Sequence, residues 1–274
     1  MSHVVSSAPV GLRVLRPDGD RARVAVVHTS AMLVAGDDLR LEVRVGPGAS
    51  CELCEISASV AHPADGQGLI EQQLAVQVGE AGTLLLCERE LVLAAASRLR
   101  RTTRIELTGS ARVAHRETIV LGRYGEAPGA AVVRTRVERD GLPVFDDTLD
   151  TRDAATIRSP AVLGASRVVG TFGLWGVSAP PRAPGVFGLG PQDSLMRVLA
   201  RDASVAVAEL DAFERLVRGN LSDGRDVPAL DAGQSSARPD GRSAARVAHS
   251  TAALTSDHAG REDQRRDADP LAAQ

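Results

Sequence analysis

Four times between residues 39 and 147 the chain writes an apolar strand, a short turn and a second strand, and this repeat restricts the fold more than any other feature. Leu39–Val45 runs into Gly46-Pro47-Gly48 and Ala49–Glu55; Leu74–Val78 runs into Gly79–Gly82 and Thr83–Glu88. Thr103–Leu107 leads through Thr108-Gly109-Ser110 to Ala111–Glu117, and Arg134–Val137 through Arg139-Asp140-Gly141 to Leu142–Asp147. The last apolar residue before each turn (Val45, Val78, Leu107, Val137) recurs after 33, 29 and 30 residues. A period near 30 built from two strands signals a repeat architecture, because no single unit can cover its own apolar face. The expectation is a mainly β, repeat-built, β-helix-like solenoid stack of strand pairs, with one or two C-terminal helices; a β-sandwich is the alternative.

The repeat also aligns polar groups. Ten residues beyond each anchor stand Glu55, Glu88, Glu117 and Asp147. By strand alternation these acids share a side with Leu53, Leu86, His115 and Phe145. Stacked in register they would form an acidic column at the strand ends, and like carboxylates raise one another's pKa unless a cation stands among them. The column is then either a path for a divalent cation or a set of acids bonded to turn amides or to Arg98, Arg100, Arg101 or Arg123. Cys54 and Cys87 precede two of the acids at the same offset, so adjacent coils would bring them together. With His62 they are weaker candidates for a soft metal, and His115 is a further weak one. Cys51-Glu52-Leu53-Cys54 is a poor zinc motif, since residues three apart on a strand face opposite sides and no second pair follows.

Composition excludes several classes. All 32 basic residues are arginine, which removes lysine Schiff-base chemistry and the phosphate-binding lysine of a P-loop. A net charge of −3 and 2% aromatic residues argue against nucleic-acid binding, which wants a basic face and stacking rings. No run approaches the length of a membrane helix, and Met1–Pro9 lacks the pattern of a signal peptide, so a cytoplasmic protein with no membrane partner is expected. No catalytic constellation such as Gly-x-Ser-x-Gly or His-Glu-x-x-His is present.

Outside the repeat, Arg13–Leu15 and Arg21–Val27 flank Pro17–Asp20 as a hairpin. Ser178–Pro191 reads as a Pro/Gly loop, Gln192–Arg201 as a weak helix, and Ala206–Leu221 as an amphipathic helix in which Val207, Leu210, Phe213, Leu216, Val217 and Asn220 recur at helical spacing. Residues 222–274 hold only five large apolar residues, with nine acids and seven arginines, and are expected to be a disordered tail following a single domain over 1–221.

Leu33-Val34-Ala35-Gly36-Asp37-Asp38-Leu39, with Val43–Ala49, resembles the opening repeat of the urease accessory protein family UreD (UreH). Ser97–Thr103, Glu117–Arg123 and Gly164-x-x-Arg167-Val168-Val169-Gly170-Thr171 are similar to its central and later segments, and the resemblance spans about residues 10–215. It implies a non-enzymatic scaffold with a β-helix-like core. Its implied partners are UreF, the nickel-carrying GTPase UreG and apo-urease, with a homodimer within the complex allowed. It implies no tightly bound cofactor, with nickel in transit through an internal passage. A carbohydrate-active β-solenoid enzyme using stacked carboxylates is the alternative function; scarce aromatics weigh against it.

Overall fold

Each of the first three repeat turns reverses the chain within three or four residues and hands it from one sheet to the other. In the computed structural model, which describes residues 10–28, 33–64, 68–179 and 185–222, those turns stack on each other as the strands do. Gly48 N–H donates to the Glu80 carbonyl (2.9 Å), Gly79 N–H to Val45 (2.9 Å) and Thr108 N–H to Val78 (3.0 Å). Glycine is required at position 82 by space: a Cβ there would stand 2.8 Å from the Gly79 carbonyl and 3.0 Å from that of Gly46.

Two sheets result. The first carries, in order, β1 (Val10–Asp18), β2 (Arg21–His28), β4 (Ser50–Glu55), β7 (Thr83–Leu93), β9 (Arg112–Leu121), β12 (Val168–Trp175), β14 (Asp193–Ala200) and β13 (Val186–Gly188), with β5 (Ser59–Ala61) also paired to β7. The second carries β11 (Leu142–Asp150), β10 (Ala130–Arg139), β8 (Arg98–Leu107), β6 (Ile70–Val78) and β3 (Asp38–Val45). Parallel pairing of β3, β6, β8 and β10, and of β2, β4, β7 and β9, makes a β-solenoid of about three turns. Strand alternation sends Leu53, Leu84, Leu86, Val113 and Ile119 from one sheet, and Val43, Val76, Leu99 and Ile105 from the other, into a shared core. Each such side chain, fully buried, stabilises the fold by about 1.5–3 kcal/mol.

The fourth repeat breaks the pattern. Val45, Val78 and Leu107 are register partners in turn, but Leu107 then faces Arg139 and Val137 faces Ile105. After Asp140-Gly141 the chain folds back antiparallel onto β10 as β11 and stays in the second sheet. The place a fourth coil would take in the first sheet is filled by β12, antiparallel to β9.

Two local expectations are corrected. Residues 192–201 do not form a helix: Asp193–Ala200 is β14, antiparallel to β12, with Met196, Val198 and Ala200 packed in one cluster and Leu195 buried on the other face. Sheet pairing and burial on both faces override the helix propensity of Leu, Met, Arg and Ala. The stretch 178–191 is not wholly irregular, since Val186–Gly188 pairs with β14, while Pro180, Pro181 and Pro184 lie outside the described residues. The helix predicted over Ala206–Leu221 is present as α2, Ala203–Ser222, and α1 (Ala154–Ile157) is a single turn capped by Asp153. Ala206, Leu210, Phe213, Val217 and Leu221 seat α2 on the outer face of the first sheet, against Leu85, Phe172 and Val198. Past Ser222 the expected tail lies outside the described residues. No helix among the described residues is long and apolar enough to cross a membrane.

Candidate functional site

Register decides what the acids meet. Leu53, Leu86 and His115 are partners across β4, β7 and β9, followed by Cys54, Cys87 and Arg116. Glu55, Glu88 and Glu117 come next, and here the ladder is disturbed. Strand β4 ends at Glu55, and in β7 both Glu88 and Arg89 oppose Glu117 before pairing resumes at Glu90 and Thr118. Such a bulge re-aims side chains. Glu88 and Glu117 therefore sit within strands that continue to Leu93 and Leu121, rather than at strand ends. Asp147 departs from the column altogether, because the fold-back of β11 puts it in the other sheet, where it pairs with Arg197 of β14 at 2.5 Å.

Inside the solenoid the acids meet a cation. Arg101, on β8 and only 3% exposed, crosses to hydrogen-bond Glu88 and stands 3.3 Å from Glu117. His115 Nε2 lies 2.8 Å from the second oxygen of Glu88. Burial works against ionising Glu88, but Arg101 and His115 outweigh it and hold the carboxyl below its ordinary value. Glu117 goes the other way: burial, reinforced by the charge of Glu88, outweighs Arg101 and raises it. Arg101 thus serves two carboxylates, and the one it reaches less well carries a proton more readily. Glu55 accepts from the Arg89 amide at 2.9 Å and stands 3.7 Å from His28.

Two spaces adjoin this layer. An interior cavity of about 30 Å³, room for about one water, is lined by Glu55, Glu88, Arg101, Gln72, His28 and Leu39. Outside the sheet, under α2, a groove of about 380 Å³ is lined by Glu55, Glu88, Cys54, Cys87, Glu52 and Arg218, among others. Glu55 and Glu88 border both. Gln72 Oε1, Thr103 Oγ1 and Glu117 Oε1 are buried without a hydrogen-bond partner, which favours ordered water in the interior.

The soft-metal candidates are only partly brought together. Cys54 and Cys87 are direct register partners, whereas His62 follows Ala61, whose partner Leu93 lies six positions beyond Cys87. Among the described residues no group of three or more His, Cys, Asp or Glu converges to hold a metal ion. A glycosidase pair would have to face a sugar; Glu88 and Glu117, 5% and 9% exposed, face Arg101.

The sequence reading missed the clasp that holds α2. Glu52, 1% exposed on the outer face of β4, receives both terminal nitrogens of Arg218 (3.0 and 3.1 Å) and Nε of Arg23 (3.2 Å). Arg116 of β9 reaches Asp211 and Glu214 of α2 in the same groove. A signal existed: the acid on the outward parity of β4 and Arg218 at the end of an amphipathic helix both needed partners.

Comparison with known proteins finds relatives over most of the chain. The family model described as UreD urease accessory protein matches residues 1–229. A protein of Streptomyces griseus named urease accessory protein UreD 1 is 38% identical over 202 residues, covering 73% of this chain and 79% of its own. One of Parafrankia sp. named urease accessory protein UreD is 32% identical over 248 residues, covering 76% and 81%. A second S. griseus protein, UreD 3, is 33% identical over 225 residues, covering 80% and 87%. With a family match over most of its length and a solenoid of the kind its repeat demands, the chain belongs to the UreD urease accessory protein family.

Proposed function

We propose that this chain is the scaffold of a urease-maturation complex, binding UreF and through it UreG, and that nickel crosses its first sheet at Glu55 and Glu88 on the way to apo-urease. Family membership supports a role in urease maturation. The observation that carries the route is that Glu55 and Glu88 border both the interior cavity and the groove under α2.

The chemistry suits cargo rather than storage. Carboxylate oxygens and an imidazole hold a borderline divalent ion less tenaciously than a set of thiolates would. Arg101 competes with the ion for Glu88 and Glu117, so a cation entering the layer must displace a guanidinium and is readily displaced by it in turn. Gln72 Oε1 and Thr103 Oγ1, buried without a hydrogen-bond partner, offer places for the water that a hydrated ion carries. The protein works in this reading as a binding and conducting partner, without catalysis of its own.

The test is reconstitution. The chain is co-purified with UreF and UreG, and the complex is supplied with nickel and apo-urease. Wild type is expected to activate, and Glu55→Ala and Glu88→Gln to form the complex yet activate several-fold more slowly. Full activation by both variants would remove the proposed route while leaving the scaffold; absence of any complex would remove both.

A further inference from the structure

Cys54 and Cys87 are the two cysteines on the outer face of the first sheet, and they are direct register partners on parallel strands β4 and β7. Cys51, three residues earlier, points the opposite way into the core. Both outer thiols line the groove under α2, Cys54 half-buried and Cys87 buried. Cys54 Sγ lies 3.8 Å from the Val24 carbonyl, and Glu214 of α2 lines the groove together with Cys87. No task in the nickel route uses them.

Strand geometry sets what such a pair can do. Neighbouring strands run about 4.8 Å apart, so same-face side chains start from roughly that separation. A disulfide asks the Cβ atoms to close to about 3.8 Å, which would pinch the sheet. A linear sulfur–metal–sulfur unit, with metal–thiolate bonds of about 2.3 Å, wants its sulfurs about 4.6 Å apart. The strand spacing allows that separation once the Cys54 side chain turns from the Val24 carbonyl on β2 towards Cys87 on β7. Two-coordinate dithiolate is the preferred arrangement of soft d10 cations, of which Cu(I) is the biological one, and thiolate ligands select for it. Nickel(II) would need further ligands, and no third His, Cys, Asp or Glu converges there among the described residues.

We propose that Cys54 and Cys87 form a two-coordinate site for one Cu(I) ion in the groove beneath α2, which Glu55 and Glu88 also line. Binding releases the two thiol protons to solvent and forms a bis-thiolate of net charge −1, with no change of oxidation state. Arg116 and Arg218 line the same groove but are already paired with Asp211, Glu214 and Glu52, so the bis-thiolate has to share these cations with carboxylates.

The experiment titrates the full chain, reduced and under anaerobic conditions, with Cu(I) against a Cu(I)-specific chelator, and in parallel with Ni(II). One Cu(I) per chain is expected, with a near-ultraviolet sulfur-to-copper absorption. Cys54→Ser and Cys87→Ser should each weaken binding at least ten-fold, while Cys51→Ala retains it and Ni(II) binding is the same in all four proteins. If Cys87→Ser does not fold, half-buried Cys54→Ser carries the test. The proposal is overturned if wild type takes up no Cu(I), if Cys54→Ser holds it as tightly as wild type, or if Cys51→Ala loses it equally. Loss of Ni(II) together with Cu(I) in Cys54→Ser also overturns it, because the site would then not be selective for a soft ion.

Discussion

Arg101 on β8 reaches across the solenoid to Glu88 on β7, tying the two sheets together at the level where β7 bulges. Both side chains are at most 6% exposed, so the pair cannot rely on bulk water for its solvation. Its energetic weight lies in what happens when one partner is removed.

Arg101→Met leaves Glu88 and Glu117 buried without their cation. A loss of about 3–5 kcal/mol is expected, as for breaking a buried pair. Urea denaturation followed by the fluorescence of Trp175 measures it. That ring is the chain's only tryptophan and lies 6.2 Å from His115, so it reports the same layer.

Glu88→Gln and Glu117→Gln should differ in sign. The folded pKa of Glu88 is depressed, so its stabilising contribution is present above the unfolded value and lost as pH falls through the folded one. At neutral pH Glu88→Gln is expected to cost about 3 kcal/mol, a penalty that shrinks below pH ~4. The folded pKa of Glu117 is raised, so the contribution is full below the unfolded value and fades as pH rises through the folded one. Glu117→Gln should therefore be neutral or stabilising by up to about 1 kcal/mol at pH 7, with the difference from wild type gone at pH ~4. Thermal melts of the three proteins between those pH values decide it; a destabilised Glu117→Gln at neutral pH would refute the unequal sharing of Arg101.

Glu52→Ala should loosen α2 without unfolding the solenoid. It removes the acceptor of Arg218 and Arg23, and with Arg218 about one-third exposed the expected cost is about 2 kcal/mol. Hydrogen exchange should speed up over residues 203–218 and stay unchanged in β7 and β9.

Gly173→Ala should be among the more damaging single-carbon additions. A Cβ on residue 173 would fall 2.0 Å from the indole of Trp175, which lies over it on the same face of β12. Displacing a buried tryptophan costs about 2–3 kcal/mol, as overpacking typically does, and near-ultraviolet circular dichroism of Trp175 should change with it.

The solenoid was legible in the sequence because its period is a chain-local property. Val45, Val78 and Leu107 repeat at nearly constant spacing, and stacking is the simplest way for such units to cover their apolar faces. The amphipathic stripe of α2 was equally local, and so was the alignment of Glu55, Glu88 and Glu117. Three decisions were not local. The fourth repeat carries the same strand–turn–strand pattern as the others, yet β11 folds back because β12, arriving from residues 168–175, takes the place beside β9. That choice of neighbour, which removes Asp147 from the column, depends on pairing between segments about 50 residues apart. The 193–200 segment became a strand because β12 offered it a ladder. The charge state of the acid layer was fixed by which of several arginines points inward, and alternation along β8 selects Arg101 while sending Arg98, Arg100 and Arg104 to solvent. Periodicity thus determined the architecture and the level of the acids. Only the tertiary structure decided their partners, because hydrogen bonds and ion pairs form between faces that the sequence brings together at long range.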